Sequence, residues 1–438
     1  MRFVLLRAAL AMQLLAAAAP VGAETLLNTY TRISVEAAYA AESPHAQAMV
    51  LAARATADAQ LSDSVSITGI AQLRVDAADN LEPGQPAQTS RSSISQRLLL
   101  GDDTELELRE LYLDVLLEQG TLRIGKQQVV WGQADGLRVL DVINPVSLRE
   151  FVLPASEDRR IPTWMLNAQA EVQDIGVQLL WIPDATYDEI PLADETFAIR
   201  SPRLVAPAPR DIPVRIAHAE RPRGVVDASD AGVRLSRMVG NWDVTLNYLH
   251  HRHDAPVPFR SVTAEGVLVE PRYMPTDLIG GTFSNAFGKA TLRGEVGYST
   301  RRWFATQDRA DADGVFKTPE IAWVLGVDYV HNADLLLSMQ WFGSQLAHRP
   351  NAALRGQREF QVTLLAQQEF ANDTVQLKGL VLYGVSDGDS SASASVTWRA
   401  TDALTLSLGV DAFLGDRDGV FGQFHDASRA MLRAEWSQ

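Results

Sequence analysis

The sequence predicts an all-β chain, a transmembrane antiparallel β-barrel of about 18 strands with 16 as the alternative count. Three observations carry that reading. Segments along the 438 residues alternate apolar and polar side chains with period two, and the connections between them alternate short and long. After the first two dozen residues no apolar run approaches the ~20 residues a helix needs to cross a bilayer. A chain that spans a membrane without such a helix must close its sheet, because an open edge would leave backbone N–H and C=O groups unpaired in hydrocarbon.

The first 23 residues read as a cleaved secretory leader. Arg2 and Arg7 precede an apolar run from Ala8 to Ala19, and Val21-Gly22-Ala23 supplies small residues for a cut ahead of Glu24. The barrel then occupies 24–438. The chain has no cysteine, which excludes disulfides, thiolate metal sites and iron–sulfur clusters and leaves an oxidising periplasm nothing to cross-link. A formal net charge of −15 argues against nucleic acid or anionic head groups as general partners. The expected location is the outer membrane of a Gram-negative bacterium, in contact with outer-membrane lipid, lipopolysaccharide and the barrel-insertion machinery.

Taken in order, the Ala-rich segments Ser34–Ala40 and Ala46–Ala59 admit either two strands or an N-terminal helix or plug, which is why the count could fall to 16. Ser64–Asp76 sets Val65, Ile67, Ala71, Leu73 and Val75 against Ser66, Thr68, Gln72 and Arg74. Leu106–Glu118 changes phase, with Leu106 and Leu108 even but Leu111, Leu113, Val115 and Leu117 odd, so a bulge is expected near Arg109-Glu110. A hairpin through Gln119-Gly120 leads into Thr121–Lys126. Leu292–Tyr298, Ala392–Arg399, Thr401–Leu414 and the last strand, with Leu432, Ala434 and Trp436 opposite Arg433 and Glu435, repeat the rhythm. On a helical period the same residues would scatter apolar groups all round the axis.

Short turns rich in Asn, Asp and Gly are expected at Leu61–Asp63, Gln119-Gly120, Gln173-Asp174, Gly240-Asn241, Asn285–Phe287, His331-Asn332, Asn372-Asp373 and Thr401-Asp402. Longer polar connections fall near 78–104, 132–162, 185–227, 253–269, 304–317, 346–357 and 414–425, the proline-studded third of them as a loose outer excursion. Trp181, Trp242, Trp303, Trp323, Trp341, Trp398 and Trp436, with Tyr248, Tyr298, Tyr329 and Tyr383, are candidates for the aromatic girdles where hydrocarbon meets head groups. Trp436 takes the place of the usual terminal aromatic, with two residues behind it. The polar phase assigns Arg74, Arg123, Arg293, Glu295, Gln361, Glu369, Gln376, Lys378 and Arg399 to the lumen wall.

The stretch from Gly125 to Trp164 is unlike the rest. Asp135, Arg138, Asp141, Arg149, Glu150, Glu157, Asp158, Arg159 and Arg160 are separated by Leu137, Val139, Leu140, Val142 and Ile143. Apolar residues in a connection want something to pack on, so the segment 132–162 is expected to fold into the lumen and narrow it with facing acids and arginines. The constriction set is Asp135, Arg138, Asp141, Arg149, Glu150, Arg159 and Arg160; a salt-bridged loop latched to the wall for stability alone is the competing view.

Gly125-Lys126-Gln127, Val130-Trp131-Gly132, Asp141-Val142-Ile143-Asn144-Pro145, Arg160-Ile161-Pro162 and Leu179-Leu180-Trp181-Ile182-Pro183-Asp184 together resemble a family of proteobacterial outer-membrane β-barrels of unknown function, some members of which are encoded beside RND-type transporters. The resemblance implies a membrane barrel and leaves the substrate open.

Two metal-like clusters have poor geometry. In His250-His251-Arg252-His253-Asp254 neighbouring imidazoles point to opposite faces of a strand. Arg309 to Glu320 mimics a calcium loop through Asp311, Asp313, Gly314 and Glu320, but has Arg309 where an oxygen is needed. This loop, Asp387–Asp389 and Asp416–Asp418 are therefore expected as solvated acidic turns, and no metal or cofactor is expected. The chain carries no phosphate cradle, esterase elbow or zincin motif, so no catalysis is expected. The leading expectation is a porin-like channel for passive diffusion of a small polar or amphiphilic solute. The alternative is an accessory barrel without an open pore that assists an inner-membrane pump in lipid or hydrocarbon transport.

Overall fold

Period-two alternation becomes a closed ring. The computed structural model describes residues 27–42, 45–207, 212–222, 224–308 and 311–438; the leader expected at 1–23 lies outside them. Its strands are β1 (Leu27–Ala40), β2 (Ala46–Ser62), β3 (Val65–Asp76), β4 (Leu98–Leu99), β5 (Thr104–Leu117), β6 (Gly120–Gln127), β7 (Thr163–Val172) and β8 (Ile175–Ile182). There follow β9 (Val214–Ile216), β10 (Asp230–Val239), β11 (Trp242–Arg252), β12 (Val257–Thr263), β13 (Gly266–Arg272), β14 (Pro275–Phe287) and β15 (Ala290–Ala305). The ring is completed by β16 (Val315–Val330), β17 (Leu335–Leu346), β18 (Arg358–Phe370), β19 (Val375–Gly384), β20 (Asp389–Arg399), β21 (Leu404–Leu414) and β22 (Arg429–Ser437).

Eighteen of these, all but β4, β9, β12 and β13, pair antiparallel with their neighbours, and β1 closes onto β22 from Arg32↔Ser437 to Ala40↔Arg429. Both alanine-rich segments are strands of the ring, paired with each other from Leu27↔Ala59 upward, so the count is 18 and not 16. Alanine weakens the alternation without breaking it: Arg54, Thr56 and Asp58 still share one phase. The bulge lies where the phase change put it, since Ile70 pairs with Glu110 and Ala71 with Leu108, leaving Arg109 unmatched.

The turn expected at Asn285–Phe287 sits further on. β14 runs through Phe287, and the reversal falls at Gly288-Lys289, where Gly288 adopts the positive φ of 62° that an L side chain resists. The two rims also differ less cleanly than the sequence implies, because two outer connections, 41–45 and 385–388, are short.

The outer face is apolar. Leu113, Ile124, Leu166, Leu179, Leu246, Ile279, Val296, Leu325, Met339, Leu364, Val396, Leu408 and Leu432 all stand exposed in an isolated barrel, as lipid-facing residues must. The girdle tryptophans keep that phase. Trp181, Trp341, Trp398 and Trp436 are exposed; Trp323 packs edge-on against Trp341, and Trp242 against Phe283 and Phe287. Trp303 does not belong with them: beyond a register shift in β15 it packs on Phe259 of β12 and beneath Lys317, beside an outer flap in which β13 pairs with β12 on one side and β9 on the other.

The connection expected at 185–227 as a loose excursion is anchored at two points, Tyr187 stacked on Tyr273 at 3.7 Å between ring centres and Phe197 buried against Phe413 and Phe424, while Leu204, Val205, Val225 and Val226 stand exposed.

Candidate functional site

The long connection 128–162 turns into the barrel and divides its interior. One face of it is apolar. Val129, Trp131, Val139, Leu140 and Ile143 form a buried cluster with inward side chains of the wall, Met165, Leu180, Ile182, Leu249, Leu278, Val324 and Phe342. The wall is shaped to receive them. Gly280 of β14 and Gly297 of β15 are register partners, and a Cβ on Gly280 would lie 2.5 Å from Leu140 Cδ2. Gly232 similarly makes room for the Trp131 ring. Filling the paired-glycine notch buries a whole leucine, worth about 1.5–3 kcal/mol.

Polar groups pin the same face. Glu295, 2% exposed, accepts hydrogen bonds from the backbone N–H groups of Gln133 and, at 3.1 Å, Leu140. Arg293 donates to the Gln133 carbonyl and pairs with Asp135 and, at 2.8 Å, Asp328. Asn144 ties the two ends of the connection together: its Oδ1 accepts from the Val129 N–H at 2.8 Å, and its Nδ2 donates to the carbonyls of Gln127 and Ile161 and to Thr163 Oγ1. Trp131 Nε1 donates to Gln178 at 2.8 Å, Arg160 pairs with Asp141 at 2.6 Å, and Asp184 accepts from the Trp164 N–H. The motif residues quoted for the family resemblance are thus largely the fastening of this connection.

The opposite face is charged and stands off from the wall of β19–β22 and β1–β5, leaving a cavity of about 390 Å³. A second cavity of about 540 Å³ lies on the other side, against β14–β18. Ion pairs weave the first cavity's lining: Arg149 with both oxygens of Glu105 at 2.9 and 3.0 Å, Arg429 with Glu150 and Asp411 at 2.9 Å each, Arg91 with Glu107 and Glu189, and Arg54 with Asp158 at 2.6 Å. Burial alone would raise the Glu150 carboxyl, but Arg429 and Arg74 beside it outweigh that and hold it below the ordinary range. Arg91 and Arg97 do the same for Glu189, and Arg54 for Asp158.

Of the expected constriction set, Arg149, Glu150, Arg159 and Arg160 line the first cavity and Arg138 the second. Asp135 is spent on Arg293, and Asp141 stands behind Arg160. Of the expected wall set, Arg74 and Lys378 line the first cavity and Gln361 the second, while Arg293 and Glu295 are committed to the connection. Arg123 is held bidentately by Asp114 at 2.7 and 2.8 Å and stacks over Tyr112. Arg399 is exposed at the short-turn mouth, near Glu369, which accepts from Gln376.

Sequence reasoning missed the roof. Phe151, Phe197, Phe413, Phe421 and Phe424, from three connections and the outer end of β21, meet in one buried cluster over the long-loop side. No periodicity marks residues brought together from four places in the chain. Asp389, expected as solvated, is buried and accepts the N–H groups of Phe421 and Gly422 at 2.5 and 3.1 Å. Glu320, expected on a solvated loop, is buried between Arg302 and Arg355.

The imidazoles of 250–254 diverge: His250 bonds Asp277, His251 the Arg252 carbonyl, and His253 the Arg301 carbonyl and Arg302. Burial and Arg302 push the His253 ring down to about 2, so it stays neutral. Among the described residues one set of ligand-type side chains does converge, Glu42, His425 and Asp426, within 4.8 Å and largely exposed at the outer mouth.

No curated protein matches the sequence. Among solved structures, Acinetobacter baumannii OccAB2 aligns over 95% of this chain and 98% of its own, at 9% identity and a TM-score of 0.52. OccAB1 from the same organism aligns over 94% and 96% with a TM-score of 0.51, and OccAB3 over 95% and 99% with 0.50, each again at 9% identity. At such identity the likeness is one of fold, that of the outer-membrane β-barrel. The model of a family described as protein of unknown function, DUF1302, matches residues 22–367, and the chain belongs to that family.

Proposed function

We propose that this protein is a porin-like channel of the Gram-negative outer membrane, through which a small polar or amphiphilic solute diffuses passively past the inward connection. One observation carries the reading. The connection is packed against one side of the wall, and along the other side, where ion pairs reach across, it leaves a cavity lined by charged and polar groups. Loops that narrow a barrel in this way convert a wide hole into a selective one. The sequence reading of an exported chain, with no catalytic motif and no cofactor site, agrees with transport as the activity.

The phenylalanine cluster favours a second reading, because a dry roof suits a barrel that stays shut. In that reading the barrel has no open pore and assists an inner-membrane transporter in moving lipid or hydrocarbon. Conductance in planar bilayers separates the two. Ohmic single-channel steps from the purified barrel are expected for the channel; silence at all voltages would favour the shut accessory barrel.

A further inference from the structure

The chain as a whole is acidic, with a formal charge of −15, yet the lining of the first cavity is not. Among the described residues, twelve cationic side chains line it against seven carboxylates. Four further carboxylates pair with these cations from outside the lining: Asp76 with Arg74, Glu82 with Arg97 and Arg149, Asp141 with Arg160, and Glu435 with Arg32 and Arg433. The charge is thus nearly balanced in total but arranged in depth. Guanidinium groups face the cavity and part of their compensation stands behind them.

Two of the cations have no carboxylate within ion-pair distance among the described residues. Arg159, at the end of the short helix α1 (Ser156–Arg159), is 6% exposed; its Nε has no hydrogen-bond partner, and its Nη2 reaches only the Gly136 carbonyl and Ser156 Oγ at 3.5 Å each. A buried guanidinium with an idle donor is costly unless an acceptor arrives. Lys378 projects from β19 into the same cavity and is exposed there. The uncharged part of the lining mixes serines with apolar side chains, among them Val152 and Leu153 of the inward connection and Leu380, Leu382 and Met431 of the wall.

We infer that the cavity selects small organic monocarboxylates, the carboxylate meeting Arg159 while Lys378 adds positive charge to the same lining, and the hydrocarbon body lying against its apolar side chains. A planar guanidinium fork matches a carboxylate in a way a point charge does not. Steric width sets the size limit, and the arginine lining sets the sign.

This inference rests on the channel reading, and the test keeps the two apart. Barrels are reconstituted in planar bilayers across a potassium chloride gradient, and benzoate and benzylammonium are then added as probes. The expected results are a reversal potential on the chloride side and a concentration-dependent drop in conductance with benzoate but not with benzylammonium. Arg159→Gln should weaken the benzoate effect by about tenfold, the scale of one lost charge-assisted hydrogen bond. Arg159→Lys should restore it only in part. Should Arg159→Gln fail to fold, Lys378→Gln, at an exposed lumen position, should still lower the anion preference.

Steps that are cation-selective or indifferent to benzoate would overturn the inference and leave the channel standing. Absence of steps would overturn the channel reading. A tryptophan-fluorescence titration of the solubilised barrel with benzoate would then decide the inference alone: saturable binding lost in Arg159→Gln supports it, and no binding overturns it.

Discussion

The two faces of the inward connection are held by different physics. Toward β7–β17 it is seated chiefly by shape and by buried bonds, Leu140 in the notch of Gly280 and Gly297, Trp131 against Gly232, and backbone N–H groups on Glu295, with Arg293–Asp135 as the one ion pair across to that wall among the described residues. Toward β19–β5 it is held by ion pairs between side chains that flank a cavity. Packing is insensitive to salt and pH, whereas ion pairs beside an open space respond to both. The comparison teaches that one side of the connection is a fixture and the other a lining that solutes and protons can rearrange.

The sharpest way to break the comparison is to attack the fixture. Leu140→Asp puts a charge into an apolar notch next to Glu295, and removing the connection from the wall should be its easiest relief. The expected outcome is a several-fold rise in single-channel conductance with the barrel's heat-modifiable gel migration retained; unchanged conductance would mean that the notch does not hold the connection. Asn144→Ala should act in the same direction and less strongly. It deletes bonds at both ends of the connection and leaves buried donors and acceptors unpaired, at about 1–3 kcal/mol for each. Its measure is faster proteolysis within 128–162 in the folded barrel.

Much of this was legible in the sequence. Period two gives about 18 strands, with 16 left open by the alanine-rich segments, the phase change at Leu108 to Leu111 locates the bulge, and apolar residues among charges mark 132–162 as a segment that must pack on something. What alternation cannot show is which residues meet. Glu295 and Leu140 are 155 positions apart, and Arg429 and Glu150 are 279. The turn at Gly288 escaped because Asn285 resembles a turn residue while it still faces outward in β14. Asp389 and Glu320 were misjudged for the same reason, since acidity is visible in a sequence and a distant donor is not.

Attacking the lining should have smaller effects. Glu150, Asp158 and Glu189 are held below their ordinary range by arginines that outweigh their burial, so they stabilise the fold above the unfolded values of 4.5 and 3.8, and that contribution fades as pH falls through their depressed folded values. Acidification should therefore loosen the cavity side first, but only once pH has fallen past the ordinary carboxylate values into the depressed folded range. The measurement is conductance noise against pH, which should rise there and stay flat between pH 6 and 8 in wild type. Flat noise down to the pH at which the barrel itself unfolds would remove the ion pairs from the account.

The smallest effect belongs to Glu195, whose carboxyl burial and Glu82 push up to about 7. It costs stability as pH rises from 4.5 to about 7, so Glu195→Gln should flatten thermal stability over that window. A variant as pH-sensitive as wild type would place the effect elsewhere.

Because the chain contains no cysteine, a single introduced thiol reports on one position without background. Ser393→Cys stands on β20 in the cavity lining, and Thr282→Cys on β14 lies behind the inward connection, 2% exposed. Reacted in the folded barrel with a membrane-impermeant anionic thiosulfonate, the first should label fast and the second slowly, and Leu140→Asp should abolish the difference. Equal labelling of both positions in the unaltered barrel would contradict a connection seated on one wall and open along the other.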